Sequence, residues 1–370
     1  MKNLKTIIAF VAGAAIAGSV ASAAPSSTSI TACADNRTKA LYLATNGTCT
    51  GNRTAITIGS SGSAMDAKTI SSLVTPSVVS IDVNTPSGGG TGSGSIYQSS
   101  ATSSYIVTNN HVVADAATGG TITVELLNGD QYKATIVGRD SNYDLAVIKI
   151  QVGNLPVINL GDSTQVSVGD PVLAIGSPLG LASTVTQGII SAVNRPVTTG
   201  TTDSQSYVDA IQTDAAINPG NSGGALVDAQ GRMIGVNSAI ATLSASSSSQ
   251  GGSIGLGFSI PINEAKRVID ELIKDGKSYR PVLGVYFDTN YTGTGAKILK
   301  LSPGEGADTA GIPAGAIIRV INGVKIPDAE TAIVRIRALA PGAVVSITVD
   351  LPAGGQQSYK VTLGKALSSS

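Results

Sequence analysis

Tyr105-Ile-Val-Thr-Asn-Asn-His-Val-Val113 carries the one histidine of a 370-residue chain, at the point where an apolar, β-branched run gives way to a polar turn. Further on, Asp144-Leu-Ala-Val-Ile-Lys-Ile150 opens a second such run on an acid, and Asn218-Pro-Gly-Asn-Ser-Gly-Gly-Ala225 sets a serine between glycines. The order along the chain is His, Asp, Ser. A serine hydroxyl is a poor nucleophile near neutral pH; it needs an imidazole to take its proton, and the imidazole needs a carboxylate to hold its tautomer. If the chain does such chemistry, His111 is the only imidazole available. The order excludes the α/β-hydrolase arrangement, in which the serine comes first, on a strand-to-helix elbow.

Around His111 and Asp144 lie short β-branched runs at 77–83, 105–107, 121–127, 133–137 and 145–150, separated by Gly, Asn, Asp and Ser turns. A second set follows at 171–175, 183–190, 210–214, 224–228, 233–240 and 257–260. Each set suffices for one small antiparallel barrel, with His111 and Asp144 in the first and Ser222 in the second, so the chemistry belongs between them. The run 261–276 has the period of a helix, with Asn263 placed to cap it, Ala265, Val268, Ile269 and Leu272 on one face, and Gly276 ending it. Residues 279–365 form another unit, with strands at 298–301, 317–321, 344–349 and 359–363 and a helix at 328–340. Asp328 is that helix's cap, and Ala332, Ile333 and Ile336 are its apolar stripe. The fold class is mainly β, two barrels followed by a smaller α+β unit.

The hydrophobic fraction of 42% supplies packed cores. Charged residues make up 13% with acids and bases balanced, and no basic stripe tracks a phosphate backbone, which argues against a nucleic-acid partner. Met1-Lys-Asn-Leu-Lys5, an apolar stretch at 7–20 and Ala21-Ser-Ala23 read as an export signal cleaved after Ala23; the alternative is a segment retained as a membrane anchor. Residues 24–64, rich in Ser, Thr, Gly and Ala, read as a tether around a small hairpin stapled by Cys33 and Cys49, with Asn46-Gly47 as its turn. One histidine and two paired cysteines leave too few ligands for a zinc site, and no cofactor is expected. The tract 244–253 reads as a mobile loop beside the serine-bearing barrel.

In Gly220-Asn-Ser-Gly-Gly224 the glycines allow backbone N–H groups to turn toward one point, as an oxyanion hole requires, and Gly220 N–H and Ser222 N–H are the expected donors. Asp115 and Asp140 compete with Asp144 as partners of the histidine. Asp115 lies too close to His111 in sequence and Asp140 stands in a charged turn with Arg139, whereas Asp144 directly precedes an apolar strand that can desolvate it.

Thr108-Asn-Asn-His-Val-Val113, Asp144-Leu-Ala-Val147, Gly176-Ser-Pro-Leu-Gly180, Gln212-Thr-Asp214, 218–226 and Gly255-Leu-Gly-Phe-Ser-Ile-Pro261 together resemble the HtrA (Deg) family of chymotrypsin-fold serine proteases. The resemblance implies a two-barrel, chymotrypsin-like domain over 65–276 with His111 as base, Asp144 as orienting carboxylate and Ser222 as nucleophile. It also implies an ATP-independent endopeptidase that acts on unfolded or damaged exported proteins as a trimer or an assembly of trimers. Asn221 stands where digestive relatives carry the aspartate that pairs with a new N-terminus, so that mode of activation is not expected. Ala216 takes the place of the acid that would bind Arg or Lys, and the first pocket, walled by Ile217, Ala241 and Leu256, is expected to take small or medium aliphatic side chains.

Residues 277–366, before a tail at 367–370, resemble a PDZ domain. Its peptide-binding loop is Val282-Leu-Gly-Val285, with Leu283, Gly284 and Val285 offering N–H groups to a terminal carboxylate beside the helix 328–340. Ser302-Pro-Gly-Glu-Gly-Ala-Asp-Thr-Ala-Gly-Ile312 and Val320-Ile-Asn-Gly323 fit that pattern, while Gly315-Ala316 replaces the common Gly-Asp. The alternative from another class is a non-catalytic chaperone that holds unfolded chains in the same groove.

Overall fold

The computed structural model describes residues 30–36, 41–43, 48–58, 65–86, 88–177, 183–199, 206–239 and 253–369. The chain divides into two compact units, Met1–Ala64 and Met65–Ser370. In the first, β1 (Ile30–Asp35) pairs with β2 (Leu41–Leu43) and β3 (Arg53–Ile58) to form a three-stranded antiparallel sheet, and Cys33 is joined to Cys49. The segment read as a stapled tether therefore holds a sheet. Its third strand, Arg53-Thr-Ala-Ile-Thr-Ile58, has the β-branched content of one. The expected turn at Asn46-Gly47 lies outside the described residues.

In the second unit, β4 (Val78–Thr85), β5 (Gly88–Ser99), β6 (Ser104–Thr108), β7 (Thr121–Glu125), β8 (Gln131–Asp140) and β9 (Leu145–Ile150) close into a barrel in the order β4-β5-β6-β9-β8-β7. Strands β10 (Pro171–Gly176), β11 (Thr184–Thr199), β12 (Ser206–Thr213), β13 (Ala225–Val227), β14 (Met233–Ser238) and β15 (Gly257–Pro261) close a second, in the order β10-β11-β12-β15-β14-β13. Closure removes exposed strand edges and gives each barrel a core, one around Ile81, Ile96, Ile106 and Ile148, the other around Val172, Ile190, Ile217 and Leu226. The sequence reading lacks β5 because Gly88-Gly-Gly-Thr-Gly-Ser-Gly94 has almost no strand-forming side chains. Its glycines serve close packing instead: a Cβ on Gly94 would lie 2.5 Å from Ile106 Cγ2.

The helix Ile262–Asp275 buries Ile262, Ala265, Val268, Ile269 and Leu272, and Gly276 ends it in the left-handed conformation with its N–H on Leu272 O at 3.0 Å. Its cap differs from expectation. Asn263 lies inside the first turn: its Oδ1 accepts from Ser163 N at 2.9 Å and its own N–H donates to Ser163 Oγ at 3.2 Å, tying the helix to the turn at 162–163, while Pro261 at the cap position offers no side-chain bond.

Beyond it, β16 (Tyr279–Val282) pairs with β23 (Gly364–Leu367), and β17 (Val285–Phe287), β18 (Ala296–Leu301), β19 (Ile317–Ile321), β21 (Val344–Asp350) and β22 (Gln356–Thr362) form a sheet in that order, with β20 (Val324–Lys325) on β19. The helix Ala329–Arg337 is capped by Asp328, whose carboxylate accepts from Thr331 N at 2.7 Å. It stops short of residue 340 because Pro341 disfavours helical backbone in the residue before it. Ala332 and Ile336 are buried, and Ile333 is half-buried on a cavity. Ser368 and Ser369 are no loose tail: Ser368 N donates to Ser278 O at 3.0 Å, and Ser141 N donates to Ser369 O at 2.9 Å. Among the described residues, no helix is long and apolar enough to cross a membrane.

Candidate active site

β6 ends at Thr108, and the chain turns into the short helix Asn110–Val113, which carries His111. Opposite it, Asp144 starts β9 from a left-handed backbone, φ 52°, a conformation aspartate tolerates better than most side chains. Three contacts hold the two residues together. Asn109 Nδ2 donates to Asp144 O at 2.9 Å, His111 N donates to Asp144 Oδ1 at 3.0 Å, and His111 Nδ1 lies 2.8 Å from Asp144 Oδ2. With Nδ1–H given to the carboxylate, Nε2 is left as the acceptor a general base needs. Asp144 is 7% exposed, desolvated as expected of an orienting carboxylate.

The rival acids serve other ends. Asp115 is exposed in the one-turn helix Asp115–Thr118. Asp140 is the last residue of β8 and fully buried, so the charged-turn reading of its setting is wrong. Its carboxylate accepts from Asn142 N, Tyr143 N and the Ser278 hydroxyl, and burial pushes its pKa up against those bonds.

Ser222 lies in the turn before β13, 4% exposed, between Gly220 at φ 96° and Gly223 at φ 84°. Neither glycine admits a side chain easily: both have left-handed backbones, and a Cβ on Gly223 would sit 2.2 Å from Ser93 O. Among the described residues, the N–H groups of Gly220 and Ser222 donate to no acceptor, which leaves both free for a ligand oxygen. Ser222 Oγ accepts from Ala239 N at 3.0 Å and makes no hydrogen bond to His111. The next residue back, Ser238, directs its hydroxyl to Asp144 Oδ2 at 3.4 Å. Two consecutive residues at the end of β14 thus contact Asp144 of the first barrel and Ser222 of the second.

Ser238 and Ala239 do not stand out in the sequence, since 233–240 reads simply as a strand. Nor does Asn237, whose N–H and C=O pair with Gly224 O and Gly223 N, each at 2.9 Å, and whose side chain donates to Ala225 O at 3.0 Å, bracing the serine turn. Asn221 Nδ2 reaches Ala216 O at 3.4 Å, and no carboxylate replaces it. Of the expected pocket walls, Ile217 is fully buried in the second barrel's core, Leu256 is half-buried, and Ala241 lies outside the described residues. Leu283, Gly284 and Val285 line a separate cavity of about 710 Å³, facing Ile333 and Ile336.

Residues 92–236 match the family model of the trypsin-like peptidase domain. Serine protease PepD of Mycobacterium tuberculosis is 47% identical over 307 residues, covering 80% of this chain and 66% of that protein. A probable periplasmic serine endoprotease, DegP-like, of Chlamydia muridarum is 44% identical over 255 residues, 66% of this chain and 49% of the relative. The chain thus spans between about half and two thirds of these relatives' length. Among solved structures, the HtrA-type protease AlgW with a tripeptide aligns at TM-score 0.61 and 35% identity, over 81% of this chain and 97% of that one. The serine endoprotease from Yersinia pestis aligns at TM-score 0.56 and 34% identity, over 82% and 99%. By its paired barrels and by this likeness over nearly the whole of solved HtrA-type chains, the protein belongs to the HtrA family of trypsin-like serine proteases.

Proposed function

We propose that the chain is an exported, ATP-independent serine endopeptidase that cleaves unfolded or damaged proteins, with residues 65–276 as the protease domain and 277–366 as a PDZ domain. The observation that carries the reading is the 2.8 Å pairing of His111 Nδ1 with Asp144, whose carboxylate accepts from Ser238 while the next residue, Ala239, donates its N–H to Ser222 Oγ. In the reaction the Ser222 hydroxyl leaves Ala239 N–H and turns to His111 Nε2, which takes its proton as Oγ attacks the substrate carbonyl carbon. The carbonyl oxygen gains negative charge and is received by Gly220 N–H and Ser222 N–H. The imidazolium, stabilised by Asp144, then protonates the leaving amine, and water repeats the sequence to release the acyl group.

A first pocket without a carboxylate favours aliphatic side chains. The cavity beside Leu283, Gly284 and Val285 is read as the seat of an extended peptide end, in keeping with AlgW structures that hold a tripeptide or a decapeptide. Tyr207 of β12 lines the same cavity, so an occupant there would also touch the second barrel. Export rests on residues 1–23 and on relatives named periplasmic, and assembly as a homotrimer rests on the family resemblance. The alternative, a holding chaperone, is favoured by one observation, the Ser222 hydroxyl resting on Ala239 N–H and away from the imidazole.

Ser222→Ala should abolish cleavage of unfolded casein and leave the circular dichroism spectrum unchanged. Residual proteolysis in that variant would remove Ser222 as the nucleophile. Wild-type protein that suppresses aggregation yet never takes up a fluorophosphonate label would instead establish the holding role.

A further inference from the structure

We propose that Ser93 is a positioning residue for the oxyanion-binding turn, acting through the peptide planes on either side of the Ser222 N–H; the inference rests on Ser222 being the nucleophile. Ser93 sits in β5, the glycine-rich strand of the first barrel, and is fully buried. It makes both of its donor bonds to the serine turn of the second barrel. Its N–H donates to Ser222 O at 2.8 Å, and its Oγ donates to Gly220 O at 2.6 Å.

The direction of the hydroxyl proton follows from its other partner. Ser177 N donates to Ser93 Oγ at 2.7 Å and occupies a lone pair, so the single hydroxyl proton goes to Gly220 O. Gly220 O and Ser222 O belong to the peptides that flank the Asn221–Ser222 peptide, whose N–H is one of the two oxyanion donors. Fixing both flanking carbonyls fixes where that N–H points. The restraint matters because Gly220, at φ 96°, has the conformational freedom of glycine, and a turned peptide here would withdraw a donor from the site. Donors help an acyl transfer only if they already aim at the developing charge. Ser93 does this without touching the substrate, and an alanine would fill nearly the same space with no proton to give.

The test is steady-state cleavage of a peptide substrate by the full chain carrying Ser93→Ala, with a peptidyl boronate as a second probe. On binding, Ser222 Oγ bonds to boron, its proton passes to His111, and the tetrahedral boron becomes anionic with an oxygen directed at the Gly220 and Ser222 N–H groups. Loss of well-aimed donors should lower kcat by about 10- to 100-fold, less than or comparable to deleting a donor outright. KM should change by less than about threefold, because ground-state binding is untouched. Boronate affinity should fall in step with kcat/KM, while a non-reactive peptide of the same sequence binds as before. Ser93→Cys, with a weaker and longer donor, should fall between the two, and it replaces the alanine variant if that one does not fold. A folded variant with wild-type kcat and boronate affinity overturns the proposal, as does an equal loss of affinity for boronate and plain peptide. Ser222→Ala separates the two readings: if it still cleaves, the nucleophile is wrong, whereas an inactive Ser222→Ala beside an unimpaired Ser93→Ala rejects only the role of Ser93.

Discussion

Asp144 shows how much a single residue carries here. Its left-handed backbone lets one carboxylate take both the N–H and the ring Nδ1 of His111, while its carbonyl holds the Asn109 amide. Asp144→Asn keeps the shape but offers an NH₂ group to Nδ1, which favours the tautomer with a proton on Nε2 and removes the acceptor for the serine proton. On the proposed mechanism kcat should fall by about 10⁴-fold with the fold intact, measured as the rate of acyl-enzyme formation in single turnover. A fall of less than tenfold would mean that the carboxylate does not set the tautomer. The pairing of His111 with Asp144 was legible in the sequence because an acid just before a continuous apolar strand has to be desolvated. Ser93, Ser238 and Ala239 were not legible, since each acts through a hydroxyl or a backbone N–H in a segment whose pattern only says strand.

At the scale of elements, the helices followed their punctuation where it was local. Asp328 caps the helix Ala329–Arg337 and Gly276 closes the helix Ile262–Asp275, because each acts on N–H or C=O groups three or four residues away. Asp328→Ala should cost about 1 kcal/mol of stability, measured by urea unfolding, with a matching loss of order at the cavity wall formed by Ile333 and Ile336. An unchanged unfolding midpoint would show that packing alone fixes that helix. Asn263 misled for a related reason: an asparagine near a helix start is equally able to bond a distant loop, and Ser163 won that competition. Strand β5 was hidden altogether, since its glycines are chosen for closeness to Ile106 and Val112 rather than for strand propensity.

At the scale of the whole second unit, the segments that follow the barrels, a helix end and the residues flanking β16 and β23, grip the turn that leads into Asp144. Tyr143 Oη donates to Arg337 O at 2.9 Å, Ser369 N donates to Asn142 Oδ1 at 3.1 Å, and Ser278 Oγ donates to Asp140. Beside this junction, Arg335 pairs with Asp209, and Glu264 is buried with neither carboxylate oxygen hydrogen-bonded within the described residues. Burial first, and then the Asp209 and Asp140 charges, push Glu264 up to about 8 from an ordinary value of 4.5, against the pull of Arg267 and Arg337. The folded chain therefore keeps a proton that the unfolded chain releases above 4.5. Stability from this group is complete below that value and falls as pH rises toward about 8, by roughly 1.4 kcal/mol per pH unit at most. Glu264→Gln should flatten this decline in unfolding curves recorded at several pH values across the interval. A slope that survives the substitution would place its origin in other groups.

The sequence by itself determined the mainly β class and the pairing of His111 with Asp144, because alternation, turn residues and a lone imidazole are local or countable. Only the tertiary structure decided how those residues are braced, where the serine hydroxyl rests, and which buried groups tie residues 278–369 to the turn before Asp144. These depend on hydrogen bonds between separate segments, 17 residues apart for Ser222 with Ala239 and 127 for Ser93 with Gly220, and no periodicity in the chain records such a pairing.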